Sequence, residues 1–317
     1  MPNSYEASRK YNNWGKFTMN TKRLSILTLA VLGTLYGPSQ VWAASLLGTA
    51  DSFAILAGSA LTNVPTSTVV GNVGVWSSGG ANAITGFNSS PGVAVSDTQV
   101  TGGLVHSGTT IAQSAQSQLT NAITSLGLLG TGTTLANADL GGLTLAPGVY
   151  TVHAGVSNLT GALTLDGQGN ANAAWVFQMD STLITSPGSS VNVINTGSGA
   201  GVFWDVRSSA TLDTTTAFQG NILALASITL NTGATIGCGR ALANTGAVTL
   251  GANTVIGVGC GAGSNGYSGG FTVSTSGGTP TLLAAAPTEV PLPAALPLLG
   301  AGLAGLTGFG IRRRKQK

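Results

Sequence analysis

The sequence predicts a mainly β protein, a parallel β-solenoid with a single α-helix packed alongside. Three observations point there. An apolar-Thr-Leu phrase recurs at 143–145, 163–165, 210–212, 228–230 and 248–250, and the steps 144 to 164, 211 to 229 and 229 to 249 are 20, 18 and 20 residues. Between the phrases lie Gly, Asn and Thr turns rather than helical periodicity, in a chain with 48 Gly among 317 residues. One stretch breaks the pattern: Ile111, Ala115, Leu119, Ala122, Ile123 and Leu126 follow helical spacing.

A period near 20 suits a coil of three short strands and three turns, with strands of successive coils paired in parallel about 4.8 Å apart. Side chains alternate between faces along each strand. With Leu212, Leu230 and Leu250 inward, Ala210, Ile228 and Val248 are inward too. Thr211, Thr229 and Thr249 then point outward and stack into a column. The segments 211–218, 229–236 and 249–256 align without gaps, which extends the rows laterally: Thr214 beside Thr232, and Thr216 beside Thr254. The expected product is one flat face of methyl and hydroxyl groups with almost no charge. The helix is predicted over Thr109–Leu126, bounded by Gly127, with an uncharged polar face of Ser, Thr, Gln and Asn. A flank of the solenoid is its expected docking site.

Charge is confined to the ends. Residues 1–43 hold five Lys/Arg against one Glu (+4), as do residues 287–317 (+4), whereas 44–286 holds Arg207 and Arg240 against seven Asp (−5). Two arginines cannot supply the phosphate contacts that nucleic-acid binding needs. Charged residues are 7% of the chain, against about 25% in an average soluble domain. The middle has seven scattered Asp, no Lys and no Glu, so the clustered acids and bases of a polysaccharide lyase or hydrolase are missing. The expectation is a non-enzyme without cofactor or metal.

The N-terminal segment 1–43 reads as a secretory signal. Lys22 and Arg23 precede the apolar run 24–36, and Val41-Trp42-Ala43 supplies a signal-peptidase site. Met19 is a candidate true start; a membrane anchor is the alternative reading. After the solenoid domain, 44–280, comes a proline-containing linker, 281–293, and then an uncharged run, 295–311, ending in Arg312-Arg313-Arg314-Lys315. That length is close to the minimum bilayer span, with the basic cluster on the cytoplasmic side. Val290-Pro291-Leu292-Pro293-Ala294, followed by this helix and basic cluster over 290–317, resembles the tripartite sorting tags processed by exosortase-type enzymes. That resemblance implies transient inner-membrane anchoring, with an exosortase-like enzyme as a processing partner; a permanent anchor is the alternative.

Cys238 and Cys260, 22 residues apart in the exported part, suggest one disulfide between adjacent coils, two free buried thiols being the alternative. Asp166-Gly-Gln168-Gly-Asn170-Ala-Asn172 loosely spaces oxygens like a calcium loop but lacks a closing Glu, and reads as a turn. His106 and His153 read as surface or helix-edge histidines. Trp175, Phe177, Phe203 and Trp204 read mainly as core from their alternation with Val176 and Val202, sugar-stacking platforms being the alternative. Arg207 and Arg240 are expected to hold turns or pair with Asp205 or Asp213.

Several motifs then occur in one order: Asp51-Ser-Phe-Ala-Ile-Leu-Ala-Gly58, Leu145-Ala-Pro-Gly-Val-Tyr150, Leu165-Asp-Gly-Gln-Gly169 leading to Trp175-Val-Phe-Gln178, Val202-Phe-Trp204, Gly220-Asn-Ile-Leu223 and Gly239-Arg-Ala-Leu242. Over about residues 46–258 this resembles the microbial ice-binding protein family. The resemblance implies a right-handed solenoid of triangular section and adsorption to an ice crystal surface through a flat Thr, Ser and Ala face. Its partial signature, Thr-Ala/Gly-x-Thr/Asn, is matched by Thr232-Gly233-Ala234-Thr235. The expected contact set is therefore Thr211, Thr214, Thr216, Thr229, Thr232, Thr235, Thr249 and Thr254, on a secreted or cell-surface monomer. Residue pattern without the resemblance leaves a second reading open, a non-enzymatic adhesin or exopolysaccharide-associated matrix protein.

Overall fold

Short runs of Val, Ile, Leu and Thr separated by glycine-rich corners make strands that bury alternate side chains, and repeating them stacks the chain into coils. The computed structural model describes residues 45–77, 82–155, 158–260, 265–272 and 281–282. The predicted signal segment, nearly all of the linker and the tail with its Val290–Ala294 motif lie outside these residues.

Three sheets form the sides of the solenoid. The helix-covered sheet runs in the spatial order Ala94–Val95, Val105–Ser107, Asn72–Val75, Phe53–Ala57, Ala241–Ala243, Asn221–Ala224, Gly201–Val206, Ala174–Met179, Gly148–Val152 and Thr133–Thr134. The second sheet stacks Ala83–Thr85, Ala60–Val64, Val248–Gly251, Ile228–Leu230, Ala210–Leu212 and Leu183–Ile184. The third stacks Val100–Thr101, Thr68–Val70, Thr254–Ile256, Thr235–Cys238, Ala217–Gln219, Ser190–Ile194, Ala162–Asp166 and Thr144–Leu145. Within these sheets pairing is parallel, except where Ala94–Val95 meets Val105–Ser107.

The order of coils is not the order of the chain. The first coil along the chain, 53–70, lies between the next coil and the last: Ile55 pairs with Val73 and Ala241, Leu61 with Ile84 and Val248, and Val69 with Val100 and Val255. After the second coil the helix carries the chain back along the stack. The remaining coils then return to close on the first.

The helix, α1, spans Thr110–Gly127. Thr109 caps it, Oγ1 accepting from the Ala112 N–H at 3.2 Å. Ala112, Ala115, Leu119, Ala122, Ile123 and Leu126 are buried against Phe53, Leu56, Val176, Phe203, Leu223 and Leu242 of the sheet. Eighteen residues make a rod about 27 Å long, the depth of five to six coils at about 4.8 Å each. At its far end Gln178 Nε2 donates to the Leu126 carbonyl at 2.9 Å, satisfying one of the carbonyls a helix end leaves open.

Inside the solenoid, Tyr150, Phe177, Trp204 and Phe218 form a continuous aromatic stack, with centroids 5.7, 4.1 and 4.9 Å apart. Trp175, Phe177, Phe203 and Trp204 are all buried, so none is a surface platform. His106 lies at the helix edge but is not on the surface: it is buried against Phe53, its Nδ1 3.1 Å from the capping Thr109 hydroxyl. His153 is exposed.

Polar groups close the structure where coils of distant sequence meet. Cys238 and Cys260 are joined in a disulfide, Cα atoms 5.6 Å apart. Arg207 pairs with Asp205 at 2.8 Å, as expected, but Arg240 pairs with Asp51 at 2.8 Å rather than with Asp205 or Asp213. Fully buried, Arg240 also donates to the carbonyls of Asp51, Asn265 and Gly266 and to Asn221 Oδ1. It thereby ties the start of the first coil to the strap, 265–272, that crosses back over the stack. Tyr267 of this strap is buried in the solenoid core, and Phe271 packs edge-on against Phe203.

Candidate functional site

Alternation along the second sheet sorts its side chains. Ala210, Leu212, Ile228, Leu230, Val248, Leu250 and Leu61 point inward and are buried. Between them the outward residues align in one column: Thr211 pairs with Thr229, Thr229 with Thr249, Thr249 with Thr62, and Thr62 with Thr85. Five rungs at about 4.8 Å extend roughly 19 Å. Ile184 continues the column past Thr211.

Small residues flank this row. On one side stand Ser209, Ser227, Ala247, Ala60 and Ala83. The hydroxyls of Ser209 and Ser227 accept from the backbone N–H of Ser227 and Ala247 in the next coil, each at 3.2 Å. On the other side stand Asp213, Asn231, Gly251 and Val64. Asp213 is the single charge of these rows, and Asn231 and the Thr214 N–H hydrogen-bond it, holding its carboxyl below the usual carboxylate range. The surface is one face of a parallel sheet, uncharged over most of its rows and built on a column of β-branched side chains whose χ1 is stiff.

The predicted contact set divides at the corner between the second and third sheets. The chain turns there through a left-handed residue in each of four coils: Gly188, Thr215, Gly233 and Ala252, with φ of 71, 57, 75 and 57°. Thr214 and Thr232 are exposed on this corner, side by side as predicted. Thr235 and Thr254 lie beyond it, on the third sheet, in an outward column with Ala162, Ser190, Ala217 and Thr68. The two halves of the Thr232–Thr235 signature therefore face different ways.

Thr216 is a correction. It occupies the inward corner position filled by Ala234 and Asn253 in the next coils, and it is fully buried. Its hydroxyl lies 2.8 Å from that of Thr185 and 3.4 Å from that of Ser189, partners that let a threonine turn inward. The ungapped alignment also fails by one residue. Thr235 pairs with Thr254 and Ile236 with Val255, because four residues separate Leu230 from Thr235 but only three separate Leu250 from Thr254. Thr144 and Thr164 pair with each other on the third sheet, although their phrase matches that of the second.

Two members of the row were not anticipated, Thr62 and Thr85. Their signal was present in weaker form: Leu61-Thr62 and Ile84-Thr85 keep the apolar-Thr pair but are followed by Asn63 and Gly86 instead of Leu. In the Asp166 turn, Asp166 Oδ1 accepts from the Gln168 N–H and from Asn195, and Asn170 from the Asn172 N–H, each at 2.9 Å. Those oxygens serve the turn itself. Among the described residues no group of three or more His, Cys, Asp or Glu could hold a metal ion, and no helix is long and apolar enough to cross a membrane.

A three-sided parallel solenoid with a helix along one side and a repeating threonine row on another defines a class of protein that presents an extended, nearly uncharged sheet face. The ice-binding-like family matches residues 55–256, and the chain belongs to this family. It is 42% identical to the ice-binding protein of Nostoc sp. over 75% of this chain and 83% of that one. It is 34% identical to the ice-binding protein of Flammulina populicola, over 75% and 99%. The crystal structure of an ice-binding protein from an Antarctic biological consortium superposes with a TM-score of 0.56 and 35% identity, covering 68% of this chain and 91% of that one.

Proposed function

We propose that this protein is exported and adsorbs to ice through the second sheet, with Thr211, Thr229, Thr249, Thr62 and Thr85 as the central contact row. The observation that carries the reading is the register: five outward threonines stacked one per coil, flanked by Ser and Ala on one side and by Asp213, Asn231, Gly251 and Val64 on the other. Ice offers no charge to pair with, so a useful surface presents many weak groups in one rigid plane. Threonine loses little rotamer entropy on docking. Its methyl orders water, and its hydroxyl both donates and accepts. Names borne by the relatives support the same partner. The protein acts as a monomer and not as an enzyme. Signal peptidase removes the leader, and an exosortase-like enzyme processes the tail at Val290–Ala294, leaving the domain secreted or at the cell surface.

The test is thermal hysteresis and ice recrystallisation inhibition of the exported chain beside Thr229→Tyr and Thr235→Tyr. Thr229→Tyr abolishes most of the activity with an unchanged circular dichroism spectrum, whereas Thr235→Tyr, on the third sheet, retains it. The reverse pattern moves the contact face around the corner. A folded parent without activity refutes ice binding.

A further inference from the structure

The threonine row comes from two distant stretches of chain. Thr211, Thr229 and Thr249 follow one another through successive coils, whereas Thr62 and Thr85 come from before the helix. The row crosses between these stretches at Thr249 and Thr62, where no corner of the chain links the coils.

Directly behind that crossing runs a buried polar ladder. Asn253 Nδ2 donates to the carbonyls of Asn231 at 2.7 Å and Ala234 at 2.9 Å, in the coil of Thr229. The Asn253 N–H donates to Ser67 Oγ at 3.0 Å, and Ser67 Oγ donates to Asn63 Oδ1 at 2.6 Å, in the coil of Thr62. Asn63 Nδ2 then donates to Gln99 Oε1 at 3.0 Å and to the Gly86 carbonyl at 3.2 Å, beside Thr85. Gln99 accepts also from the Ser67 N–H at 2.9 Å. Asn63, Ser67 and Asn253 are all buried, 2–3% exposed.

Asn63 stands in register with Leu250, at an inward position that Leu230 and Leu212 fill elsewhere. Leucine there is the cheaper core residue, because burying an amide is costly unless every bond is made. Alternation excludes a slip of one residue, which would turn the apolar side chains outward, but a slip of two keeps the same faces buried. A fully bonded polar network distinguishes these as well and admits one register.

We propose that Asn63, Ser67, Gln99 and Asn253 are positioning residues that lock Thr62 and Thr85 in register with Thr211, Thr229 and Thr249, so that both stretches meet one ice lattice as a single unit. The proposal rests on the second sheet being the contact face. Two half-rows held together gain avidity that neither has alone, and they lose it when their geometry no longer matches one lattice.

The experiment measures recrystallisation inhibition by the full exported chain carrying Ser67→Ala or Gln99→Met, each alone and combined with Thr62→Tyr or Thr229→Tyr, with circular dichroism at the assay temperature. The half-inhibitory concentration of the folded ladder variants rises at least about tenfold. In the Ser67→Ala background Thr62→Tyr adds no further loss, while Thr229→Tyr still does. Ladder variants that inhibit like the parent overturn the proposal, as does an equal effect of Thr62→Tyr in both backgrounds. Should Ser67→Ala not fold, Gln99→Met, at the partly exposed end of the ladder, decides with the same pairings. If neither tyrosine substitution weakens the parent, the contact-face reading itself falls.

Discussion

Replacing Asp205 by Asn should make the protein more stable at neutral pH and leave it nearly unchanged at pH 4. Asp205 lies in the helix-covered sheet between Gln178 and Leu223, near the end of α1. Its side chain is 0% exposed; Oδ2 accepts from Arg207 at 2.8 Å, and Oδ1 has no partner among the described residues. Arg207 is 39% exposed, so its charge is partly spent on water. Burial therefore outweighs the guanidinium and pushes the carboxyl from 3.8 up to about 6. A folded pKa above the unfolded one means that folding takes up a proton between these values. The stabilisation of the neutral form is complete below about pH 4 and is lost as pH rises through about 6. Two units at 1.36 kcal/mol each amount to about 3 kcal/mol. Asp139, Asp166 and Asp213 are held low by hydrogen bonds and act in the opposite sense, so only the difference between variant and parent isolates Asp205. Urea denaturation followed by circular dichroism between pH 4 and 8, with the disulfide intact, gives that difference. It should grow from near zero to about 3 kcal/mol. A difference independent of pH would refute the account, because it would mean that Asp205 stays ionised throughout or that Asn acts by packing alone.

Other substitutions separate scaffold from surface. Arg240→Met strands Asp51 and the carbonyls of Asn265 and Gly266, costing about 3–5 kcal/mol; limited proteolysis should then cut first near the strap, and Arg240→Lys should not restore resistance because it cannot reproduce the fork of bonds. Burial lowers the pKa of His106, so its contribution is present above about pH 6.5 and lost as pH falls. Amide exchange should accordingly show the first turn of α1 losing protection on acidification before the last turn does. Thr216→Ala removes the buried bonds to Thr185 and Ser189, costing about 1 kcal/mol in urea unfolding, while recrystallisation inhibition stays at the parent level.

What the sequence discloses here is alternation, and what it conceals is direction. The strands 210–212, 228–230 and 248–250 were legible because every inward position is aliphatic and the period is nearly constant. The same phrase at 143–145 and 163–165 reads identically yet lies on another side of the solenoid. Alternation fixes which side chains leave a strand outward, but not which of three sheets the strand has joined. That depends on how many residues each corner takes, and the corners vary: the one-residue difference between 230–235 and 250–254 shifts Thr254 into line with Thr235. Thr216 was misread for a related reason. An inward threonine is tolerable only if another coil brings it acceptors, and Thr185 and Ser189 sit about one and a half periods upstream. Arg240 and Asp51 were likewise unpairable by inspection, because only the closure of the last coil on the first brings them together. Thr62 and Thr85 went unseen because Asn63 and Gly86 stand where the phrase has leucine. Asn63 stands at the inward position opposite Leu250, where two stretches that no corner connects lie side by side. The missing signal and the buried ladder meet at one residue: Asn63 takes the inward place that leucine fills in the next coils, so the phrase breaks where its amide bonds Ser67, Gln99 and the Gly86 carbonyl.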